Sequence, residues 1–506
     1  MNFMPTRTPV TPAPHRVDLA SAPGALIVGG AHVSIGVARS LGRQGVPVWL
    51  LANHPLPTYS RYVKRSFPWP GADHADGLSS IIDLAKQHNL HGWVLIATGD
   101  EDMRMLAQNH ALLSQYFRVA TPDWDTIKWA YDKRLTYSRA ASLGIDFPAS
   151  FHTRSLDEIA RLDCRFPVIL KPAFRKGVDE FTQAKAWKAD DRAQLLALYQ
   201  RAAALIGDES IIVQEWIPGT GETQYSYAGL WQRGEPVVSL VARRRRQHPI
   251  DFGRSSTYVE TIEQSEVEEL AGRFLKSLNY TGVVEVEFKH DRRDGHYKLL
   301  DVNGRFWTWN GLGALAGVDF PYLAWRQALG KVVSPGRARP GVAWMHASRD
   351  VIAAYEEISN GTLTARDYLS SFRKLLAFAN FAFDDPIPAM VELPVAAWNR
   401  FARGPLGAQR HTLAQKIAHK FGMAARRVAK YRRPVRAWCR KATLSPCKIS
   451  AGPSRPPRRS STSRFFPHLP SWRRPPSRRP ACRLGDPRLR PRIDAERLKS
   501  PCISAW

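Results

Sequence analysis

The sequence predicts an α/β domain followed by an α+β domain, and three observations carry that reading. The apolar run "ALIVGG" (Ala25 to Gly30) ends in glycines, leads into the helical stretch "IGVARSLGRQG", and is followed by a second apolar run, "VPVWLLA". Together these make a β-α-β unit. Apolar runs at "GWVLIATGDED" and "FRVATPD" then alternate with helical segments, so residues 25–122 read as a small doubly wound domain. Between 123 and 330 the pattern changes to long strand-like runs joined by hairpin turns, with few helices.

The elements follow in order. Residues 1–24 are rich in Pro, Ala and Thr and read as a flexible arm without the apolar core of a secretory signal. In the second block "DTIKWAYDKRLTYSRAASLGI" reads as one helix, and "FPVILKPA" and "SIIVQEWIPG" as strands. Further strands are "ETQYSYAGLW", "GEPVVSLVARRRR", "GVVEVEFKHD" and "HYKLLDVNGR". Residues 331–440 read as mostly helical, and residues 441–506 as a disordered Pro/Arg-rich tail.

The charge is unevenly spread. The chain of 506 residues has a net charge of +28, of which the last 66 residues contribute +13 with 16 Lys/Arg against 3 Asp/Glu. That tail also holds 12 of the 37 prolines and three of the five cysteines. It reads as a non-structural extension, such as an out-of-frame read-through, rather than as an arm for nucleic acid or membrane. No specific nucleic-acid partner is expected. Five scattered cysteines make neither a disulfide framework nor a zinc knuckle, and they suit a reducing, cytoplasmic setting. No run reaches the roughly 18 apolar residues of a membrane span.

The chemistry concentrates near "YKLLDVNGRFWTW" (Tyr297 to Trp309). Side chains alternate along a strand, so Asp301, Asn303 and Arg305 face one way. "VVEVEF" puts Glu285 and Glu287 on one face of the preceding strand, and a hairpin brings Glu287 opposite Asp301. Acids and an amide oxygen at close range call for a cation, and Mg²⁺ takes one or two carboxylates plus substrate phosphates. Lys171 ends an apolar strand, while Lys133 and Lys185 lie in "YDKRLTY" and "QAKAW". Several lysines near a divalent site suggest a polyphosphate. "VQEWIPGTGE" offers a nucleobase clamp through the Glu215 carbonyl and the Ile217 N–H, with Glu222 placed for a ribose. Pro218 has no N–H to compete.

This order of motifs resembles the ATP-grasp superfamily over about residues 25–330. The match runs from "DK" (Lys133) through "PVILKP" (Lys171) and "VQEWIPGTGE" to "EVEF" (Glu287) and "DVNGR". The segment "RRRRQHPIDFGRSSTYVET" and "DDPIP" (Asp384 to Pro388) look like a bacterial group related to carboxylate–amine ligases. The resemblance implies a Rossmann-like pre-ATP-grasp domain followed by an ATP-grasp domain. It further implies Lys133 and Lys171 on the ATP phosphates, Glu215 and Ile217 on adenine, and Glu222 on the ribose. Glu287, Asp301 and Asn303 would hold Mg²⁺ (or Mn²⁺), and Arg305 would stabilise an acyl-phosphate. The implied activity is an ATP-dependent carbon–nitrogen ligase acting on small-molecule carboxylate and amine substrates. A homo-oligomer is left open.

The sequence departs from the family pattern twice. The second acid is Asp301 where glutamate is usual, and the phosphate-covering loop "AFRKGVDEFTQAK" offers one glycine, Gly177. The second departure motivates the rival reading, a non-catalytic or regulatory ATP-binding module. "GGAHVSIG" lacks the G-x-G-x-x-G spacing of a dinucleotide site, so Gly29 and Gly30 read as a tight turn before a helix. "TGDED" (Thr98 to Asp102) reads either as a substrate-cleft edge or as a helix cap. In Arg243 to Arg246, alternation puts Arg243 and Arg245 on one face and Arg244 and Arg246 on the other. The basic stretch near 418–441 reads as an ordinary solvated face.

Overall fold

The computed structural model describes residues 23–152, 155–174, 179–250 and 255–403. The N-terminal arm, the Arg175 to Val178 part of the phosphate loop, the basic stretch near 418–441 and the tail after 440 lie outside them. Three sheets organise the described chain. The first contains β1 (Ala25–Val28), β2 (Val48–Ala52), β3 (Val63–Pro68), β4 (Val94–Ala97) and β5 (Arg118–Val119). It is wholly parallel in the order β3-β2-β1-β4-β5. β1 and β4 are buried along their whole length, as expected for central parallel strands covered on both faces. At the end of β1, Gly29 holds φ +113°, and a Cβ there would run into Thr98 and Asp102. A side chain is therefore excluded both by backbone conformation and by space.

The second sheet, β6 (Ser150–Phe151), β7 (Val168–Pro172), β8 (Trp187–Ala189) and β9 (Ile211–Glu215), is antiparallel in the order β6-β9-β7-β8. Helices Leu156–Arg161 and Arg192–Ile206 supply apolar residues to its core, among them Ile159, Leu195 and Tyr199. The third sheet contains β10 (Gln224–Gln232), β11 (Glu235–His248), β12 (Ser255–Ile262), β13 (Gly282–His290) and β14 (Tyr297–Asn303). Added to these are β15 (Gly336–Arg337), β16 (Val342–Met345) and β17 (Leu375–Phe378). Its order is β14-β13-β10-β11-β12-β16-β17, with β15 beside β11.

Residues 331–403 include the expected helices Ala347–Ser359, Ala365–Ser370 and Ile387–Arg403. They also contribute β15, β16 and β17, so the large sheet continues past residue 330. β16 and β17 are runs of four residues, too short to show a period of two, yet β16 is buried throughout. Immediately after β17, Asp384 and Asp385 tie back to the helix Ala31–Arg43 through Arg43 and Arg39. Phe306, Trp307 and Trp309 are at most 2% exposed, in a core shared by the first and third sheets. Among the described residues no helix is long and apolar enough to cross a membrane.

Candidate active site

β13 and β14 pair antiparallel with Glu287 opposite Asp301 and Glu285 opposite Asn303, the register expected of the hairpin. The Asn303 side-chain N–H donates to Glu285 Oε2 at 3.2 Å and to Glu287 Oε1 at 3.1 Å. Gly304 turns the chain away from this corner. A Cβ there would lie 2.6 Å from Ile127 Cδ1 and 3.1 Å from Met103 Sδ, so only glycine fits the seam. Gly304→Ala should destabilise the fold by about 1–3 kcal/mol through overpacking. Chemical denaturation checks this, and a cost near zero would show that the seam can open.

The segment read as one helix is two, Trp124–Tyr131 and Lys133–Ser142. Asp132 breaks it with extended backbone, its carboxylate accepting from Arg134 N at 2.9 Å as an N-cap. The break makes Lys133 the first residue of the second helix, with Nζ 2.7 Å from Asp301 Oδ1. Lys171 on β7 donates to Tyr137 OH at 3.0 Å, and that hydroxyl donates to Leu300 O at 2.8 Å.

These groups line one cavity of about 530 Å³ between the second and third sheets, closed on one side by Ala31, His32, Asp100 and Met103 of the first domain. Lys133, Lys171, Lys185, Glu215, Ile217, Glu287, Asp301, Asn303 and Arg305 all line it. Glu222 does not; it is half exposed and lies 3.5 Å from Arg245. The Glu215 carboxylate pairs with Arg293 at 2.7 Å.

Lys289 joins the lining without any signal in the sequence, whereas Glu285 and the run Arg243 to Arg246 were singled out there. Arg244 donates to Glu287 Oε2 at 3.2 Å and to Gln224 Oε1 at 2.7 Å. Arg243 and Arg245 share Glu260, at 2.8 and 3.6 Å, so they do occupy one face. Arg246 is buried against Asp350 instead of facing the cavity. Glu285 and Lys289 also line the cavity, and Lys289 donates to Gly219 O at 2.8 Å. Arg305 donates through Nε to Asp100 Oδ1 at 2.5 Å, which puts the "TGDED" segment at the cleft edge.

Electrostatics follow burial and neighbours. Burial, then the adjacent Glu287, push the Glu285 carboxyl well above the carboxylate range. Burial and the Lys133 charge bring Lys171 down to about 7. Burial and Arg244 bring Lys289 down to about 8. For Lys133, burial opposes the charged form, but Asp301 outweighs it and raises the pKa. Asp100 does the same for Arg305. The corner thus holds acids short of neutralising charge beside a lysine poised to take up a proton.

Residues 209–348 match the family model described as ATP-grasp in the biosynthetic pathway with Ter operon. The chain carries an ATP-grasp domain. The matched stretch includes Glu285, Glu287, Asp301, Asn303 and Arg305. Over 258 residues the chain is 25% identical to the D-aspartate ligase of Enterococcus faecium (strain Aus0004), covering 46% of this chain and 60% of that ligase. It therefore spans less than two thirds of that relative's length. The fold is similar to an L-amino acid ligase from Bacillus licheniformis, with TM-score 0.50 and 15% identity over 64% of this chain and 78% of that one. It is also similar to the biotin carboxylase domain of Hydrogenobacter thermophilus 2-oxoglutarate carboxylase, with TM-score 0.52 and 14% identity over 63% of this chain and 73% of that one. The latter structure is a complex with MgADP, ADP and bicarbonate.

The ATP-grasp corner can be tested for its fit to a divalent ion. Among the described residues no three His, Cys, Asp or Glu side chains form a metal cage by themselves. Glu287 and Asp301 offer carboxylate oxygens, and the Asn303 amide oxygen, which here accepts from Arg305 at 3.4 Å, is a third hard donor, a set that suits Mg²⁺ shared with nucleotide phosphates. Beside them Glu285, raised first by burial and then by the Glu287 charge, shows that a further negative charge is disfavoured at this corner. The residues fit the ion.

Proposed function

We propose that this chain is an ATP-dependent ligase that joins a carboxylate to an amine, or a similar nucleophile, through an acyl-phosphate. One observation carries the reading. The acid corner of Glu287, Asp301 and Asn303 shares a single cavity with Lys133, Lys171 and Arg305. Phosphoryl transfer needs positioning and charge neutralisation more than covalent help, and this cavity supplies both. The likeness to a D-aspartate ligase supports the same class.

In this reading Lys133 and Lys171 hold the phosphates, and the Glu215 carbonyl and Ile217 N–H orient the adenine. Glu222 would reach the ribose only by leaving Arg245. Glu287, Asp301 and Asn303 would hold Mg²⁺, which would supply charge neutralisation at the phosphates. The substrate carboxylate attacks the γ-phosphorus and ADP leaves; the amine then attacks the acyl carbon and phosphate leaves. Arg305, fixed by Asp100, faces the oxygen on which charge builds. The low cysteine content supports a cytoplasmic setting. The test is Mg²⁺-dependent ADP release against a panel of amino acids and small acids. ADP in no member of a broad panel would overturn the ligase reading in favour of a nucleotide-binding module.

The lysines predict a pH dependence. In the free protein Lys171 sits at about 7, and a bound phosphate favours its charged form. Binding above that pH must take up a proton, whereas well below it none is needed. MgADP affinity should therefore fall as pH rises from 7 to 9, approaching about tenfold per unit. Arginine stays charged throughout this range, so Lys171→Arg should flatten the slope. Calorimetric titration at several pH values reads this directly, and an unchanged slope in Lys171→Arg would refute the lysine's role.

A further inference from the structure

A second cavity, of about 540 Å³, lies beside the first and is walled by Leu315, Trp344, Leu376, Phe378, Phe381 and Phe383. His32 and Thr308 line both cavities, so the two adjoin at those residues. The two arginines at the second cavity are already engaged by carboxylates, and Asp319 is held by a hydroxyl, with burial pushing its carboxyl up toward the neutral form. Arg43 donates to both oxygens of Asp384 at 2.8 Å, Arg39 to Asp385 at 2.9 Å, and Ser40 to Asp319. An anionic ligand would have to break one of these arginine pairs to find a counter-ion, whereas an apolar one leaves them in place. At the junction the His32 Nε2 atom is buried and has no hydrogen-bond partner among the described residues. Burial, with His346 and Arg349 nearby, holds that imidazole well below its ordinary pKa and so neutral. The junction therefore offers a neutral polar group beside the reaction cavity and a largely apolar space beyond it.

We propose that this second cavity holds the apolar body, an aromatic ring or branched aliphatic chain, of the reactant whose reacting group lies in the nucleotide cavity. The inference rests on the ligase reading above and adds the substrate class to it. The reacting end would be a carboxylate or an amine near Arg305 and Asp100, and the body would pass between His32 and Thr308. Acidic side chains are disfavoured there, because both arginines at the cavity are already paired with carboxylates.

Equilibrium dialysis on the full chain tests this with L-phenylalanine, 3-phenylpropionate and 2-phenylethylamine, each with and without MgAMPPNP, and L-aspartate for comparison. Phenylpropionate and phenylethylamine separate the carboxylate from the amine as the reacting end. At least one of the three should bind at least tenfold more tightly than L-aspartate. Ala314→Trp fills the cavity from an exposed position on the helix Gly311–Leu315 and should weaken that binding at least tenfold, with MgAMPPNP affinity unchanged. Ala377→Leu on β17 fills it less and should weaken binding less. The proposal is overturned if none of the three probes binds, or if both filled variants bind them as the wild type does. Failure of the wild type to bind MgAMPPNP would refute the nucleotide reading separately, and the titrations without nucleotide still decide the cavity.

Discussion

Glu287→Gln is expected to lower kcat for Mg²⁺-dependent ADP release by about a thousandfold, about 4 kcal/mol of transition-state stabilisation. The substitution keeps the shape of the side chain and removes its charge. Arg244 loses one partner but keeps Gln224 Oε1 at 2.7 Å and Gln247 Oε1 at 3.3 Å, so the fold should survive. Glu285→Gln gives the contrast. Burial and Glu287 already push Glu285 toward its neutral form, which an amide imitates, so its loss should cost less than about tenfold. Asp301→Asn should act on both steps, because it also releases Lys133 from its 2.7 Å ion pair. Steady-state ADP release beside a thermal melt separates chemistry from folding. Equal activity in Glu287→Gln and wild type would remove the metal assignment.

What was legible in the sequence was whatever local spacing encodes. Alternation along "VVEVEF" and "YKLLDVNGR" was enough to bring the acids of the two strands together, but the direct pairing of Glu287 with Asp301 depends on a bulge the pattern does not show, because Phe288 pairs with Leu299 and Leu300 is the extra residue. The three glycine-terminated or alternating regions likewise gave the parallel first sheet and the antiparallel blocks. Partners distant in sequence left no such trace. Arg305 and Asp100 are 205 residues apart, and nothing in either segment points to the other. Arg244 was visible only as one of four arginines, and only the placement of β11 beside β10 decides that it is the one reaching Glu287. The break at Asp132 was hidden because the apolar pattern runs on across it, and the N-cap acts through a single side chain. Glu222 shows the reverse case, a local signal whose place the fold alters. Its spacing after the glycines suggested a ribose contact, but Arg245 holds it outside the cavity lining.

Asp385 should prove among the most costly side chains to remove, although it lies more than 300 residues from its partners and touches no part of the nucleotide cavity. Its carboxylate is 1% exposed and accepts from Arg39 Nε at 2.9 Å, Ser60 Oγ at 2.7 Å and Arg61 N at 2.9 Å. Arg39 is itself buried, and its remaining N–H groups donate to the carbonyls of Ala379, Asn380 and Asp385. Asp385→Ala leaves those carbonyl bonds but strands a buried guanidinium without its counter-charge, a change that costs about 3–5 kcal/mol. Its neighbour Asp384 makes an equally well-formed pair with Arg43 at 2.8 Å, but both side chains there are about 40% exposed. Water and salt screen that pair, so Asp384→Ala should cost about 1 kcal/mol or less. Denaturant midpoints of the two variants give the comparison directly, at low and at high salt. The Asp384 effect should shrink with salt and the Asp385 effect should persist, because only the first pair is reached by the ion atmosphere. Equal costs would mean that water enters the Arg39 site, and that the segment after β17 is not fastened to the first domain by a buried charge.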